Sequence, residues 1–138
     1  MDHLYLTGYT PHPPYAGDKR LPHIAVKLGR QISKTALGAE QLVPFTYSEN
    51  AQDAIKDLAL AGYDIVGLEQ TSTSIPLTSF KAPEKCALVL GEEVEGISTE
   101  IQALCEAFVE IPMKGRKESF NVSVAVGIAL YELTQANN

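Results

Sequence analysis

The sequence predicts an α/β fold with a mainly parallel sheet flanked by helices. Three observations carry that prediction. Segments of strand and helix character alternate along the whole chain, the pattern of βα units rather than of a sandwich or a bundle. Residues 64–68 (DIVGL) and 86–90 (CALVL) are near-continuous apolar runs, as expected for parallel strands covered on both faces. The chain has 138 residues, 45% hydrophobic and 20% charged, which suits one domain spanning 1–138. A chain of this size buries roughly two thirds of its unfolded surface without needing staples.

Taken in order, residues 3–7 (HLYLT) read as a short strand that Gly8 ends. Thr10-Pro11-His12-Pro13-Pro14 follows, and three prolines in so short a stretch make a rigid loop. Residues 15–39 hold Lys19, Arg20, Lys27, Arg30 and Lys34, with no acid between Asp18 and Glu40. Their Gly17, Pro22, Gly29 and Gly38 predict a long functional loop with a helical piece. Residues 42–47 read as an edge strand because Pro44 excludes a central one. Ser48 is the expected cap of a helix over 50–61, whose Ala51, Ala54, Ile55, Leu58 and Ala59 share a face. Gly62 stops it. Strand 64–68 follows, then a loop over 69–79, strand 86–90, a short helix from Thr99 to Glu106, strand 107–111, and a helix from Ser119 to about residue 135.

Charge and cysteine content narrow the function. A formal net charge of −6 argues against broad phosphate binding over the whole surface, while leaving room for a local basic patch. Cys86 and Cys105 have no CxxC partner, so the expectation is two reduced, buried thiols and no zinc site. His3, His12 and His23 do not have the spacing of a helical ligand pair, and no metal is expected. With no signal peptide and no apolar run of membrane-spanning length, the chain reads as soluble and cytoplasmic.

Two junctions between strand and loop carry the chemistry. In LVLGEEVEGIS, residues 88–98, an apolar strand ends at Gly91 and a cluster of Glu92, Glu93 and Glu95 precedes Gly96. Ligands of open α/β sheets bind beyond the carboxyl ends of strands, where glycine permits close approach. A solvated acidic turn is the plainer reading. In IPMKGRKESFNVSVA, residues 111–125, a strand ends and a basic loop with Lys114, Arg116 and Lys117 follows. Ser119 is the expected N-cap of the last helix, whose free amides suit a polar ligand, while the basic loop suits phosphates. A capped helix after a solvated loop is the plainer reading here. That helix, with Val122, Val124, Ala125, Val126, Ile128, Ala129 and Leu130, has almost no polar face. One side is therefore expected against a second copy, as a twofold homodimer.

Together the two junctions resemble the second and third motifs of the SpoU/TrmH branch of the SPOUT methyltransferases. The second motif is matched by Leu88 to Gly91, Glu93 and Gly96. The third is matched by Ile111-Pro112-Met113, Gly115, Ser119, Asn121 to Ala125, and Leu130-Tyr131-Glu132. Phe120 stands where the family usually has leucine. LYLTGYTPHPP and SKTALGAE also resemble that family, so the likeness covers nearly the whole chain.

The resemblance implies a deep C-terminal trefoil knot, a rare exception to unknotted topology. It implies S-adenosylmethionine as cofactor and methyl transfer to a ribose 2′-hydroxyl of tRNA or rRNA. Leu68, Glu69, Gln70, Gly91, Ile111, Met113, Ser119 and Phe120 would line the cofactor, largely through backbone groups. Ser119 and Asn121 would position substrate or loop, and Glu93 would be a buried organiser of the site. Lys19, Arg20, Lys34, Lys114, Arg116 and Lys117 would meet RNA.

The family's first motif, with an asparagine and an arginine, lies before the LYLTG strand, and this sequence starts at Met1-Asp2-His3. The expectation is a chain that binds cofactor and methylates poorly. The competing reading is a non-catalytic RNA-binding or dimerisation module of the same fold. A Rossmann-type nucleotide site is disfavoured because no G-x-G-x-x-G follows an early strand.

Overall fold

The computed structural model describes residues 1–116 and 119–135. The chain divides into two units, Met1–Ala54 and Ile55–Asn138.

In the first unit, β1 (Leu4–Thr7) and β2 (Phe45–Ser48) form a parallel pair in register Leu4↔Phe45 to Thr7↔Ser48. Pro44 lies just outside β2, where its missing amide costs nothing. Between the strands, α1 runs from Pro22 to Ala36, so most of the expected 15–39 loop is one regular element. Two residues that read as breakers explain the difference. Pro22 stands in the first turn, where its amide would have had no helical partner. Gly29 lies inside the helix because a Cβ there would come within 2.8 Å of Pro14, so the proline-rich loop packs directly on it. The helix closes on Leu37, in the left-handed conformation (φ 53°).

That proline-rich loop is held from within. Arg20 donates from Nε to Asp18 at 2.9 Å, and its two terminal nitrogens donate to the His12 and Pro13 carbonyls at 3.2 Å. His12 is 5% exposed and stacks on Tyr47 with ring centroids 4.1 Å apart. It is a loop histidine, as expected, but a buried one. Among the described residues no group of His, Cys, Asp and Glu has the arrangement of a metal site.

The unit boundary falls within α2 (Ala51–Leu60). Its cap is Asn50, not Ser48: Asn50 Oδ1 accepts from the amides of Gln52 at 2.8 Å and Asp53 at 3.4 Å. Ser48 is paired in β2 instead.

The second unit holds a four-stranded parallel sheet in the order β4-β6-β3-β5, with β3 (Asp64–Leu68), β4 (Ile75–Pro76), β5 (Cys86–Leu90) and β6 (Ala107–Glu110). Strand β4 and the 3-10 turn Leu77–Ser79 lie inside the expected 69–79 loop. Two residues are too few to show a period, and Pro76 is tolerated because β4 is an edge. Strand β5 is the opposite edge of this sheet and is half-buried, not covered on both faces. Ile65, Val66 and Val109 are the largest fully buried side chains. Gly67 pairs with Phe108, whose ring would stand 2.7 Å from a Cβ on the glycine.

Helix α3 (Thr99–Gln102) is shorter than expected, and Ser98 caps it. Helix α4 (Val122–Gln135) begins three residues beyond Ser119, because Asn121 is the capping residue: its Oδ1 accepts from the Ser123 amide at 3.0 Å. Ala129 and Leu133 bury against Val66, Leu77 and Val109. Val122, Ala125, Val126 and Leu130 are half-buried, while Val124, Ile128 and Tyr131 are exposed, Tyr131 at 67%. Both cysteines are free and half-buried, and burial pushes their thiols up, away from reactivity. Among the described residues no helix is long and apolar enough to cross a membrane.

Candidate functional site

Strands β3, β5 and β6 end together, since Leu68 pairs with Leu90 on one side and Val109 on the other. Beyond those carboxyl ends lies a cleft of about 300 Å³, within the range of small-molecule sites. Leu68, Glu69, Gln70, Gly91, Ile111, Met113, Ser119 and Phe120 all line it. The eight positions named for a cofactor thus converge, although they come from three separate stretches of chain.

The floor of this cleft is a closed loop. Glu92 and Gly96 exchange backbone hydrogen bonds, N to O at 3.1 Å and 2.9 Å. Gly91 is compulsory there: a Cβ would stand 2.1 Å from the Gly96 carbonyl carbon, where backbone meets backbone. Gly96 has φ 68°, and a Cβ on it would meet the Glu69 carboxylate at 2.3 Å. That carboxylate accepts from the Ile97 amide at 2.9 Å and from the Gln70 amide at 3.2 Å. Glu69 therefore fastens the end of β3 to the glycine loop.

This corrects the expectation for Glu93. It lines the cleft but is exposed, so it is not the buried organiser. Glu69, named only as cofactor lining, is half-buried and is the carboxylate that holds the loop. Its sequence gave no sign, because the amide it holds lies 28 residues away.

Ser119 is exposed at the cleft, and among the described residues the cap of α4 is Asn121 and not Ser119. Asn121 spends its side-chain oxygen on the α4 cap and is not among the lining residues, leaving only its amide nitrogen for other work. Lining residues that sequence reasoning missed are Leu90, Glu92, Val94, Glu95, Glu110, Val122 and Ala125. Val122 and Ala125 follow once α4 starts at 122, since residues three apart share a helix face.

The cleft has a distinct chemical character. Glu69, Glu92, Glu93, Glu95 and Glu110 give it five carboxylates, beside an apolar wall of Leu68, Ile111, Met113, Phe120, Val122 and Ala125. Phe120 is 41% exposed, open for a flat ring to lie against. Such a site favours a ligand that is partly apolar and positively charged, and repels a polyphosphate. Glu110 accepts from the Ser74 hydroxyl at 2.6 Å.

The basic residues separate into groups. Lys114 and Arg116 are exposed on the loop leaving β6, and Lys117 lies outside the described residues. Lys19 and Lys34 are exposed in the first unit. Arg20 is not available as a phosphate ligand, because Asp18 and two carbonyls occupy its guanidinium. That pairing raises the Arg20 pKa and holds the Asp18 carboxyl well below its ordinary range.

The model of the SpoU rRNA Methylase family matches residues 21–131. A tRNA (guanosine(18)-2'-O)-methyltransferase of Borreliella burgdorferi is 37% identical over 97 residues, covering 70% of this chain and 44% of that protein. A 23S rRNA (guanosine-2'-O-)-methyltransferase, RlmB, of Ralstonia nicotianae is 34% identical over 109 residues, 78% of this chain and 43% of its own length. The chain thus spans less than half the length of these two relatives. Among solved structures, the A. aeolicus TrmH/SpoU tRNA modifying enzyme superposes with a TM-score of 0.73 at 25% identity, over 99% of this chain and 61% of that one. The AviRb methyltransferase of Streptomyces viridochromogenes, solved with AdoMet, shares the fold with a TM-score of 0.68 at 23% identity, over 98% and 49%.

Proposed function

The chain belongs to the SpoU rRNA Methylase family, and from that premise we propose that it binds S-adenosylmethionine in the cleft beyond β3, β5 and β6 and transfers methyl to a ribose 2′-hydroxyl of tRNA or rRNA. The observation that carries this is the cleft's pairing of an apolar wall with five carboxylates. The cofactor is an adenosine joined to a cationic sulfonium, and it fits both halves of that character. A dinucleotide shares the adenosine, but its pyrophosphate is repelled by the carboxylates.

When bound, S-adenosylmethionine supplies an electrophilic methyl group on a sulfonium that leaves readily. The chain's own residues bind and orient. Leu68, Ile111, Met113 and Phe120 would cover the adenine, and the backbone of 68–70 and of Gly91 would fix its direction. The Glu69 carboxylate keeps the glycine loop in place through the Ile97 amide. Exposed Lys114 and Arg116 meet phosphates of the RNA, with Lys117 read in the same way. Ser119 and the side-chain amide nitrogen of Asn121 orient the ribose. Much of the rate comes from alignment of hydroxyl and methyl.

No described cleft carboxylate is a ready base: Glu69 and Glu110 are hydrogen-bonded, and Glu92, Glu93 and Glu95 are exposed. That observation also favours a second reading, a non-catalytic RNA-binding module of the same fold. Relatives named as tRNA and rRNA methyltransferases support the RNA substrate, and a cytoplasmic setting is part of the same proposal.

Two finer features belong to the same proposal. A trefoil knot formed by 111–135 is supported by the shared cleft of 68–70, 91–96 and 111–125, and by Leu77 packing with Ala129 and Leu133. A twofold homodimer through α4 is supported by exposed Val124, Ile128 and Tyr131; a monomeric mass in solution at micromolar concentration would contradict it.

Labelled methyl transfer into RNA followed by nuclease digestion tests the reaction. We expect label in nuclease-resistant dinucleotides, the mark of a methylated ribose. Label confined to bases would assign a different reaction, and cofactor binding with no transfer would favour the non-catalytic reading.

A further inference from the structure

The first unit carries a feature that methyl transfer does not use. In α1, His23, Lys27, Arg30 and Lys34 fall within an arc of about 60° when successive residues turn by about 100°. All four are exposed. The side opposite holds Ala25 and Ile32, which are buried and half-buried, so the basic arc faces away from the helix's packed face. Pro22–Ala36 contains no Asp or Glu, although the chain has 17 acids against 11 Lys and Arg. Among the described residues, none of Lys27, Arg30 and Lys34 takes part in an ion pair. A concentration of unpaired positive charge on an otherwise acidic chain costs self-repulsion, which an anionic partner relieves.

Beside this arc, Arg30 and Lys34 border a surface groove whose apolar walls are Pro13, Pro14, Val26 and Phe45. Glu40 also borders it, but its carboxylate accepts from Ser33 Oγ at 2.7 Å and the Gly38 amide at 3.0 Å and is turned to its own loop. Cations along a ridge with apolar and aromatic surface alongside match the needs of a single strand, whose phosphates and unstacked bases are both accessible. The span from His23 to Lys34 is about 16 Å along the axis, enough to meet several phosphates.

We propose that the exposed face of α1, with its groove, is a docking ridge for a single-stranded segment of RNA, its phosphates on Lys27, Arg30 and Lys34 and a base against Pro13, Pro14 and Phe45. This rests on the reading that the chain acts on RNA, and it excludes Arg20.

The test is fluorescence anisotropy of a short, unstructured, labelled RNA with the full chain across a salt series. Each phosphate contact contributes about 0.7 to the slope of log K against log salt for a single strand. R30Q/K34Q is expected to lower that slope by about 1.4 and to weaken binding, while R30K/K34R keeps both. K56Q/K81Q, which removes equal charge from exposed sites elsewhere, is expected to leave the slope unchanged. An unchanged slope in R30Q/K34Q, or an equal loss in K56Q/K81Q, overturns the ridge alone. No RNA binding by the unaltered chain overturns the RNA reading and the ridge with it. Displacement of the RNA by polyglutamate as readily as by unlabelled RNA assigns the ridge to an acidic protein and overturns it too.

Discussion

Glu69 and Asp18 are both acids engaged in local order, and each has a measurable signature. Glu69 holds the Ile97 amide with a charged acceptor, a bond whose removal costs about 2 kcal/mol. Glu69→Ala is therefore expected to lower the urea midpoint and to abolish cofactor binding by releasing the glycine loop, while Glu69→Gln, which still offers an oxygen, is milder in both. Stability loss with undiminished cofactor affinity would separate Glu69 from the site. For Asp18, the Arg20 hydrogen bond holds the carboxyl well below its ordinary value of 3.8. A depressed folded pKa gives stability that is complete above the ordinary value and is lost as pH falls beneath it. The thermal midpoint of the unaltered chain should thus fall as pH drops below about 4, and Asp18→Asn should show a shallower fall. Parallel curves would remove the pair from the account.

At the scale of elements, the start of α4 decides what the third motif does. Asn121 caps the helix through its Oδ1, so Asn121→Ala is expected to cost about 1 kcal/mol in urea unfolding and Asn121→Asp much less. Equal losses in the two would point to a role for the amide nitrogen instead. Strands β3 and β5 were legible as apolar runs bounded by polar residues and Gly91. Helix α1 was not, because Gly29 reads as a breaker in one dimension and is a contact with Pro14 in three. Strand β4 was invisible for want of length. Ser119 looked like a cap because capping is a local rule, and Asn121 satisfies the same rule two residues later.

At the scale of the whole molecule, the candidate site is an assembly of chain stretches that share only the carboxyl edge of one sheet. Part of its lining was legible through resemblance, since motif positions travel together in a family. The division of labour was not, because Glu69 and Glu93 differ in burial and partners, which no single sequence displays. The central claim is that the cleft beyond β3, β5 and β6 holds S-adenosylmethionine. Titrating it into the isotopically labelled chain and following backbone amide shifts tests this most directly. Saturable shifts are expected at 68–70, 91–97 and 111–122, with Phe120→Ala weakening them. No saturable shift, or shifts confined to Met1–Ala54, would contradict the account.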